Sequence, residues 1–316
     1  MRRLVVAMLA LGAAVTGIAV TPVGATTPPP PTNGRILFTL DTKKCDDCNL
    51  KAIDPDGTDP FHYGGNFARW SPDGSRIAGV TETDDHRVGT VLMDSDGTNH
   101  TVFALPNPTV NANCAGAWSP DATTLLCEVW DDAHPNRLPG VFTADATDGS
   151  NLTRLTTNNL GGHDIPVDYS PDGTQIAFLR ENPHRTRRHL ALFVVGSDGS
   201  NPTRTTDWLG RSTCCTARYS PDGTVIAYGS GGKVRTVHPD GTHAGPIPID
   251  VGKRIQYAFG PSWSPDGTKL VVPIFISPSF SIELFVTDAD GSNPQMITDT
   301  PHRYEGWPDW GTYPTI

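Results

Sequence analysis

Short apolar segments alternate with polar turns along most of the chain. Residues 175–178, 225–228 and 269–272 are apolar runs rich in β-branched and aromatic side chains, and each begins just after a Pro-Asp-Gly turn. Such runs are typical of buried strands. A second apolar run in the repeat, such as residues 192–195, leads into an Asp-Gly turn. The pattern predicts an all-β chain of short strands and tight turns.

The turns recur at a nearly constant interval. The sequence aromatic-Ser-Pro-Asp-Gly occurs in five copies, with Ala in the Gly place of the second, and a shortened Pro-Asp-Trp-Gly follows near the C-terminus. The aromatics are Trp70, Trp118, Tyr169, Tyr219, Trp263 and Trp310. Their spacings are 48, 51, 50, 44 and 47 residues, and six Asp-Gly pairs interleave with them. A period of this length, with room for four short strands, indicates a β-propeller.

The Ser-Pro-Asp-Gly segment has the chemistry of a hairpin turn. Pro fixes the second position of a type I turn, Asp suits the third, and Gly takes the left-handed conformation that closes the hairpin. These motifs resemble the TolB-type propeller repeat, a WD-like family, over residues 34–316. The resemblance implies that the inner strand of each blade ends at the aromatic. In TolB an additional α/β domain precedes the propeller, whereas in this chain we expect the proline-rich residues 26–33 in its place.

We therefore expect a six-bladed β-propeller in which each blade is a four-stranded antiparallel meander. Residues 35–38 match the strand that follows a Pro-Asp-Gly turn, and the C-terminus supplies only an inner strand ending at Trp310. The N-terminal strands are thus predicted to pair with the C-terminal strand and close the ring. Such closure removes open sheet edges.

Two segments precede the predicted propeller. Residues 1–25 combine two arginines, an apolar stretch and a Val-Gly-Ala end, which is the layout of a cleavable secretory signal. A membrane anchor is the alternative, because the apolar stretch approaches the length that spans a bilayer. Residues 26–33 contain four consecutive prolines and form an extended tether. We expect a secreted or periplasmic, cell-envelope protein with no integral membrane span after cleavage.

The charge balance narrows the set of partners. Without residues 1–25 the chain has 22 basic and 34 acidic residues, a net charge near −12. This charge disfavours nucleic acid and anionic membranes. We expect a monomer that binds a protein or a polysaccharide-like ligand and uses no cofactor.

Six cysteines in an exported chain favour disulfides. Cys114 and Cys127 flank the second repeat turn, where Ala122 replaces Gly and disfavours the left-handed conformation. We therefore expect a tighter turn that pairs residue 119 with 122, which sets Cys114 opposite Cys127 for a disulfide. The sequence leaves the pairing of the other four cysteines open. Cys45 and Cys48 form a small loop disulfide or a redox or zinc motif, and Cys214 and Cys215 form a vicinal bridge or pair elsewhere.

The irregular loops on the face opposite the tight turns are the predicted functional surface, because binding residues concentrate in variable loops on rigid scaffolds. Polar residues before the repeat aromatics are expected to surround the central mouth on this face. They are His62, Asn66, His163, Asp164, Arg211, Tyr257, His302 and Glu305. Such a ring could hold a charged ligand or a metal, although no short His-containing ligand pair supports a metal. The alternative is a hydrated channel mouth without a ligand.

No nucleophile elbow, phosphate-binding loop or hydrolase domain is recognisable in the sequence. We therefore expect a non-catalytic binding or scaffold propeller that recognises its ligand through the loop face. A lyase or hydrolase acting at the central mouth is the alternative function, and no catalytic residue is assigned.

Overall fold

The computed structural model describes residues 32–41, 49–63, 65–105, 109–131, 133–134, 140–184, 190–209, 216–252, 255–277 and 279–313. All regular secondary structure in these ranges is β-strand. Within them, no helix has the length and apolarity needed to cross a membrane. Arg211, Cys45, Cys48, Cys214 and Cys215 lie outside the described residues, as do the predicted signal and most of the tether.

The described residues form 25 strands, numbered in chain order. The first three are β1 (Asn33–Asp41), β2 (Asn49–Ile53) and β3 (Phe61–His62). Sheet 1 contains β4 (Asn66–Trp70), β5 (Arg76–Glu82), β6 (Val88–Asp94) and β7 (Thr101–Phe103). Sheet 2 contains β8 (Val110–Trp118), β9 (Thr124–Asp131), β10 (Val141–Asp145) and β11 (Thr153–Arg154).

Two further four-stranded sheets and the C-terminal strands complete the set. Sheet 3 contains β12 (Asp164–Tyr169), β13 (Gln175–Glu181), β14 (Leu190–Gly196) and β15 (Thr203–Arg204). Sheet 4 contains β16 (Ala217–Tyr219), β17 (Ile226–Ser230), β18 (Lys233–Val237) and β19 (His243–Pro246). The last strands are β20 (Ile255–Ala258), β21 (Ser262–Trp263), β22 (Lys269–Ile276), β23 (Ser281–Asp288), β24 (Gln295–Met296) and β25 (Tyr304–Thr312).

The strands of each four-stranded sheet are paired in chain order as a meander, in the arrangement of propeller blades. The remaining nine strands form one sheet with two parts. In the first part, the β22 meander, β20 and β21 pair with β22, β22 pairs with β23, and β23 pairs with β24. The second part, the terminal set, has the order β25-β1-β2-β3. A parallel pairing of Ile282 with Tyr304 connects the two parts.

Buried apolar side chains hold neighbouring sheets together. The described residues contain six such clusters; five lie between neighbouring sheets and one lies between the two parts of the nine-stranded sheet. One cluster joins sheet 4 to the β22 meander, and another joins the β22 meander to the terminal set. A third joins the terminal set to sheet 1. The core is therefore distributed between the sheets rather than gathered in one centre.

The repeat turns have the predicted geometry. In sheet 3 the Gly173 N–H donates to the Ser170 carbonyl at 2.8 Å, and Gly173 has a φ of 71°. The Asp172 carboxylate accepts hydrogen bonds from the Ser170 hydroxyl and the Thr174 N–H. Each repeat turn is thus held by a hydrogen bond between its own Ser and Asp side chains.

The second repeat turn contains both a confirmed and an incorrect prediction. Cys114 and Cys127 form a disulfide, as expected. The proposed tight turn is wrong, because Ala122 has a φ of 58° and its N–H donates to the Ser119 carbonyl, as Gly does in the other copies. A β-bulge between Asn113 and Ala117 shifts the register instead. The bulge, rather than a shortened turn, sets Cys114 opposite Cys127.

Candidate functional site

The residue before each repeat aromatic lines one shared cavity, which we call the central cavity. Its volume is about 440 Å³, and the six repeat aromatics also line it. The six preceding residues are Arg69, Ala117, Asp168, Arg218, Ser262 and Asp309. Because each comes from a different repeat, the central cavity lies where the strands that end at the repeat aromatics converge.

Four of these residues form a charge cluster: Arg69, Asp168, Arg218 and Asp309. The Asp309 Oδ1 atom lies 2.9 Å from Arg69 Nη1 and 3.6 Å from Arg218 Nε. Burial raises the pKa of Asp168 to about 6 despite the attraction of both arginines. Burial, followed by repulsion from Arg69, lowers the pKa of Arg218 to about 9. Burial therefore outweighs the attraction between the opposite charges at Asp168 and Arg218.

The same positions connect consecutive inner strands. Asp168 accepts a hydrogen bond from the Tyr219 N–H at 2.9 Å, and the Ser262 hydroxyl accepts one from the Trp310 N–H at 3.1 Å. Arg69 also donates to the backbone carbonyls of Gly116 on β8 and Val167 on β12, at 2.8 Å each. The charge cluster is thus part of the framework that holds the inner strands in place.

A second cavity, the loop-side cavity, lies nearer the starts of the inner strands. Its volume is about 220 Å³. The residues that line it are Thr216, Phe259, Gly260, Pro273, Ile282, Tyr304, Glu305, Gly306 and Trp307. A Cβ atom on Gly260 would lie 2.5 Å from the Thr216 carbonyl oxygen, so only Gly allows these two inner strands to approach so closely.

Two aromatic side chains mark the rim of the loop-side cavity. Trp307 is 38% exposed, and its ring meets Phe67 edge-on with centroids 4.5 Å apart. Both residues lie three positions before a repeat aromatic and have positive φ, 51° for Trp307 and 44° for Phe67. A bulky residue in this conformation is strained, and such strain is concentrated at functional sites. We call Phe67, Phe259, Tyr304 and Trp307 the aromatic mouth.

Glu305 lines the same cavity and is only 1% exposed. Its carboxylate accepts hydrogen bonds from the hydroxyls of Thr298 and Thr300. Both hydroxyls also contact Glu283, a buried residue of β23. Burial, reinforced by repulsion from Glu283, raises the pKa of Glu305 to about 7 even though the hydroxyl donors oppose the shift.

Three of the predicted site residues lie at or beside the aromatic mouth. Glu305 lines the cavity, Asn66 directly precedes Phe67 at the start of β4, and Tyr257 is 46% exposed on β20. Tyr257 is two residues from Phe259, which lines the cavity.

Other predicted residues have different roles. His62 belongs to β3 at the outer end of the terminal set, because the next inner strand begins only at Asn66. Asp164 is fully buried and accepts two hydrogen bonds from Arg180, so its charge is already compensated. His163 lies 3.1 Å from Glu128. His302 is exposed in the turn before β25.

Sequence reasoning did not identify Phe67 and Trp307. The signal that could have found them is their shared position three residues before a repeat aromatic, where the other repeats have Ala, Pro, Thr or Gly. Among the described residues, no group of three or more His, Cys, Asp and Glu side chains is arranged to hold a metal ion.

Neither a protein-family model nor a curated protein matches the sequence. The fold is similar to several solved propellers. TolB from Acinetobacter baumannii aligns with a TM-score of 0.63 and 21% identity over 88% of this chain and 66% of that one, so this chain spans just under two thirds of its length. A chain of a nidogen/laminin complex aligns at 0.62 with 11% identity, over 88% and 98%. Oligogalacturonate lyase from Vibrio parahaemolyticus aligns at 0.51 with 17% identity, over 83% and 73%. These likenesses establish a TolB-like β-propeller fold.

Proposed function

We propose that this chain is a secreted, non-catalytic binding propeller whose aromatic mouth recognises a protein or a polysaccharide-like ligand. The observation that carries the proposal is the pair of Trp307 and Phe67, which are both held in positive φ at the rim of a cavity. The cavity walls are apolar apart from a few polar groups such as Glu305 and Thr216. This composition is that of a ligand pocket.

The aromatic rings suit both classes of ligand. Trp and Tyr supply large contact area with little loss of conformational entropy, and they are enriched among the residues that dominate protein interfaces. The apolar faces of sugar rings also stack on aromatic side chains.

We also propose that the nine-stranded sheet is two blades, which makes six blades in all. Two observations support this division. The β22 meander is paired with the terminal set through one parallel pair, Ile282 with Tyr304. A buried apolar cluster also lies between these two parts, as one does between each pair of neighbouring sheets. The terminal set would close the ring, since β1 is paired with β25 along its length.

We propose that the protein works outside the cytoplasm, in the medium or cell envelope. The Cys114–Cys127 disulfide supports this location, because disulfides persist mainly in oxidising compartments. The signal-like residues 1–25 and the tether at residues 26–33 are consistent with export.

A lyase or hydrolase acting at the mouth is the second candidate. It is favoured by Glu305, a cavity-lining carboxyl whose pKa of about 7 is suitable for general acid-base catalysis near neutral pH.

One experiment separates the two candidates. The exported protein and its Trp307→Ala variant are immobilised and exposed to the extracellular and envelope fractions of the producing cells and to a glycan array. A binding function predicts a ligand that the unaltered protein retains and the variant loses. The enzyme candidate predicts turnover within a library of sugar polymers and esters, abolished in Glu305→Gln.

A further inference from the structure

The Glu283–Glu305 pair has too few hydrogen-bond donors for its oxygen atoms. Each threonine hydroxyl has one hydrogen to donate, yet the Thr298 hydroxyl contacts both carboxylates, as does that of Thr300. The Thr300 N–H adds one donor, to Glu283 Oε2 at 3.0 Å. Glu283 Oε1 is buried and has no hydrogen-bond partner. An unpartnered oxygen of this kind is costly to bury.

No basic side chain compensates this pair within the described part of the chain. Its hydrogen bonds come from threonine and backbone groups, and no described ion pair includes either glutamate. The nearest basic residues in sequence, His302 and Arg303, are exposed. The raised pKa of Glu305 has the same origin, because no cation opposes burial and the Glu283 charge. The site contrasts with Asp164, which Arg180 neutralises with two hydrogen bonds.

The loop-side cavity adjoins this pair and has aromatic walls. Glu305 forms part of the wall, and Phe259, Tyr304 and Trp307 form others. Aromatic faces attract cations, most strongly where water is excluded. At roughly 30 Å³ for each water-sized group, the volume of about 220 Å³ accommodates a lysine side chain. The acidic balance of the whole chain also favours a cationic ligand.

We propose that the loop-side cavity is a binding site for an alkylammonium group, supplied by a lysine side chain of a partner protein. The aromatic mouth surrounds the aliphatic stem and the ammonium, and the buried carboxyl pair provides the opposite charge. This inference rests on the proposed binding function and specifies the chemistry of the partner at that site.

Matched small probes test the inference on the exported protein. Binding of Nα-acetyl-lysine amide, Nα-acetyl-norleucine amide and glucosamine is measured by calorimetry and by NMR shifts of the Trp307 indole. We expect the lysine probe to bind at least ten-fold more tightly than the norleucine probe, which has a similar shape and no charge. We expect Glu305→Gln to remove that difference and Trp307→Ala to weaken both probes.

Three outcomes would overturn the inference. Equal or tighter binding of norleucine would mean an apolar anchor site, tighter binding of glucosamine would mean an amino-sugar site, and no binding of any probe would exclude the site. If Glu305→Gln does not fold, Glu283→Gln removes charge from the same pair without altering the cavity wall. A captured ligand that is lost from Trp307→Ala but retained by Glu305→Gln would leave the proposed function standing and refute the ammonium site.

Discussion

The Asp309 carboxylate accepts a hydrogen bond from the backbone N–H of Trp70 at 2.8 Å. The two residues are separated by 239 positions in the sequence. The bond joins β25 of the terminal set to β4 of sheet 1, and the other oxygen of Asp309 pairs with Arg69. One side chain therefore connects β25 to β4 and also pairs with a partly buried arginine.

Replacing Asp309 by Ala should lower the free energy of unfolding by about 3 kcal/mol, because it leaves the guanidinium groups of Arg69 and Arg218 with Asp168 as the one remaining carboxylate of the charge cluster. Asp309→Asn is the matched control, since it keeps an acceptor for the Trp70 N–H and removes only the charge. Urea unfolding at neutral pH measures the free energy of unfolding of the two variants. Full stability in Asp309→Ala would show that the charge cluster does not support the framework.

Deleting residues 304–316 should destabilise the entire domain. The deletion removes β25, exposes the edge of β1 and takes Trp310 out of the core cluster between the β22 meander and the terminal set. Deletion of residues 314–316 alone is the control and should change little. Thermal unfolding compares the three proteins, and an unchanged melting temperature after the longer deletion would contradict the proposed ring closure.

Ala122→Gly should stabilise the protein by about 0.5–1 kcal/mol, because Ala122 occupies a left-handed conformation that Gly adopts without strain. Gly173→Ala is the reciprocal change in the equivalent turn. A Cβ atom there meets only ordinary contacts, so it should destabilise by a similar amount through backbone strain. Denaturant midpoints of the two variants should move in opposite directions. Shifts of the same sign would mean that the conformation of Ala122 is not strained.

Stability should fall as the pH rises from about 4.5 to 7. The pKa of Glu305 is raised from 4.5 to about 7, so the folded protein favours the protonated form, and its contribution is complete at low pH and lost as the carboxyl ionises. The expected loss is about 3 kcal/mol. Glu305→Gln should remove this contribution and leave the one of comparable size that Asp168 makes between about pH 4 and 6. Urea unfolding of both proteins across this pH range measures the dependence. Identical slopes would contradict the raised pKa assigned to Glu305.

The repeat architecture was predictable because local chemistry determines it. Pro171, Asp172 and Gly173 fix their turn by short-range bonds, so the motif reports the hairpin wherever it occurs. The bulge beside Cys114 was not predictable. It depends on how β8 packs against its neighbours, and a register shift leaves no local signature in sequence.

The site was only partly predictable for a related reason. His62 was predicted at the central mouth because it lies only eight residues before Trp70 in the sequence. In the structure the strand that ends at Trp70 begins at Asn66, so His62 belongs to the outer strand β3. Polar residues were sought because they carry chemistry, whereas the exposed feature is the aromatic Trp307. Trp307 also has a positive φ, a conformation that the residue type does not suggest.

The central claim is that the aromatic mouth binds the ligand, and quantitative capture with two matched variants tests it most directly. Trp307→Ala alters the mouth, while Tyr313→Ala removes an aromatic of similar exposure, 45%, just beyond the other end of β25. Ligand captured from the extracellular fraction is quantified by mass spectrometry for each protein. We predict a loss of about ten-fold or more for Trp307→Ala and little change for Tyr313→Ala. Equal capture by Trp307→Ala and the unaltered protein would contradict the claim.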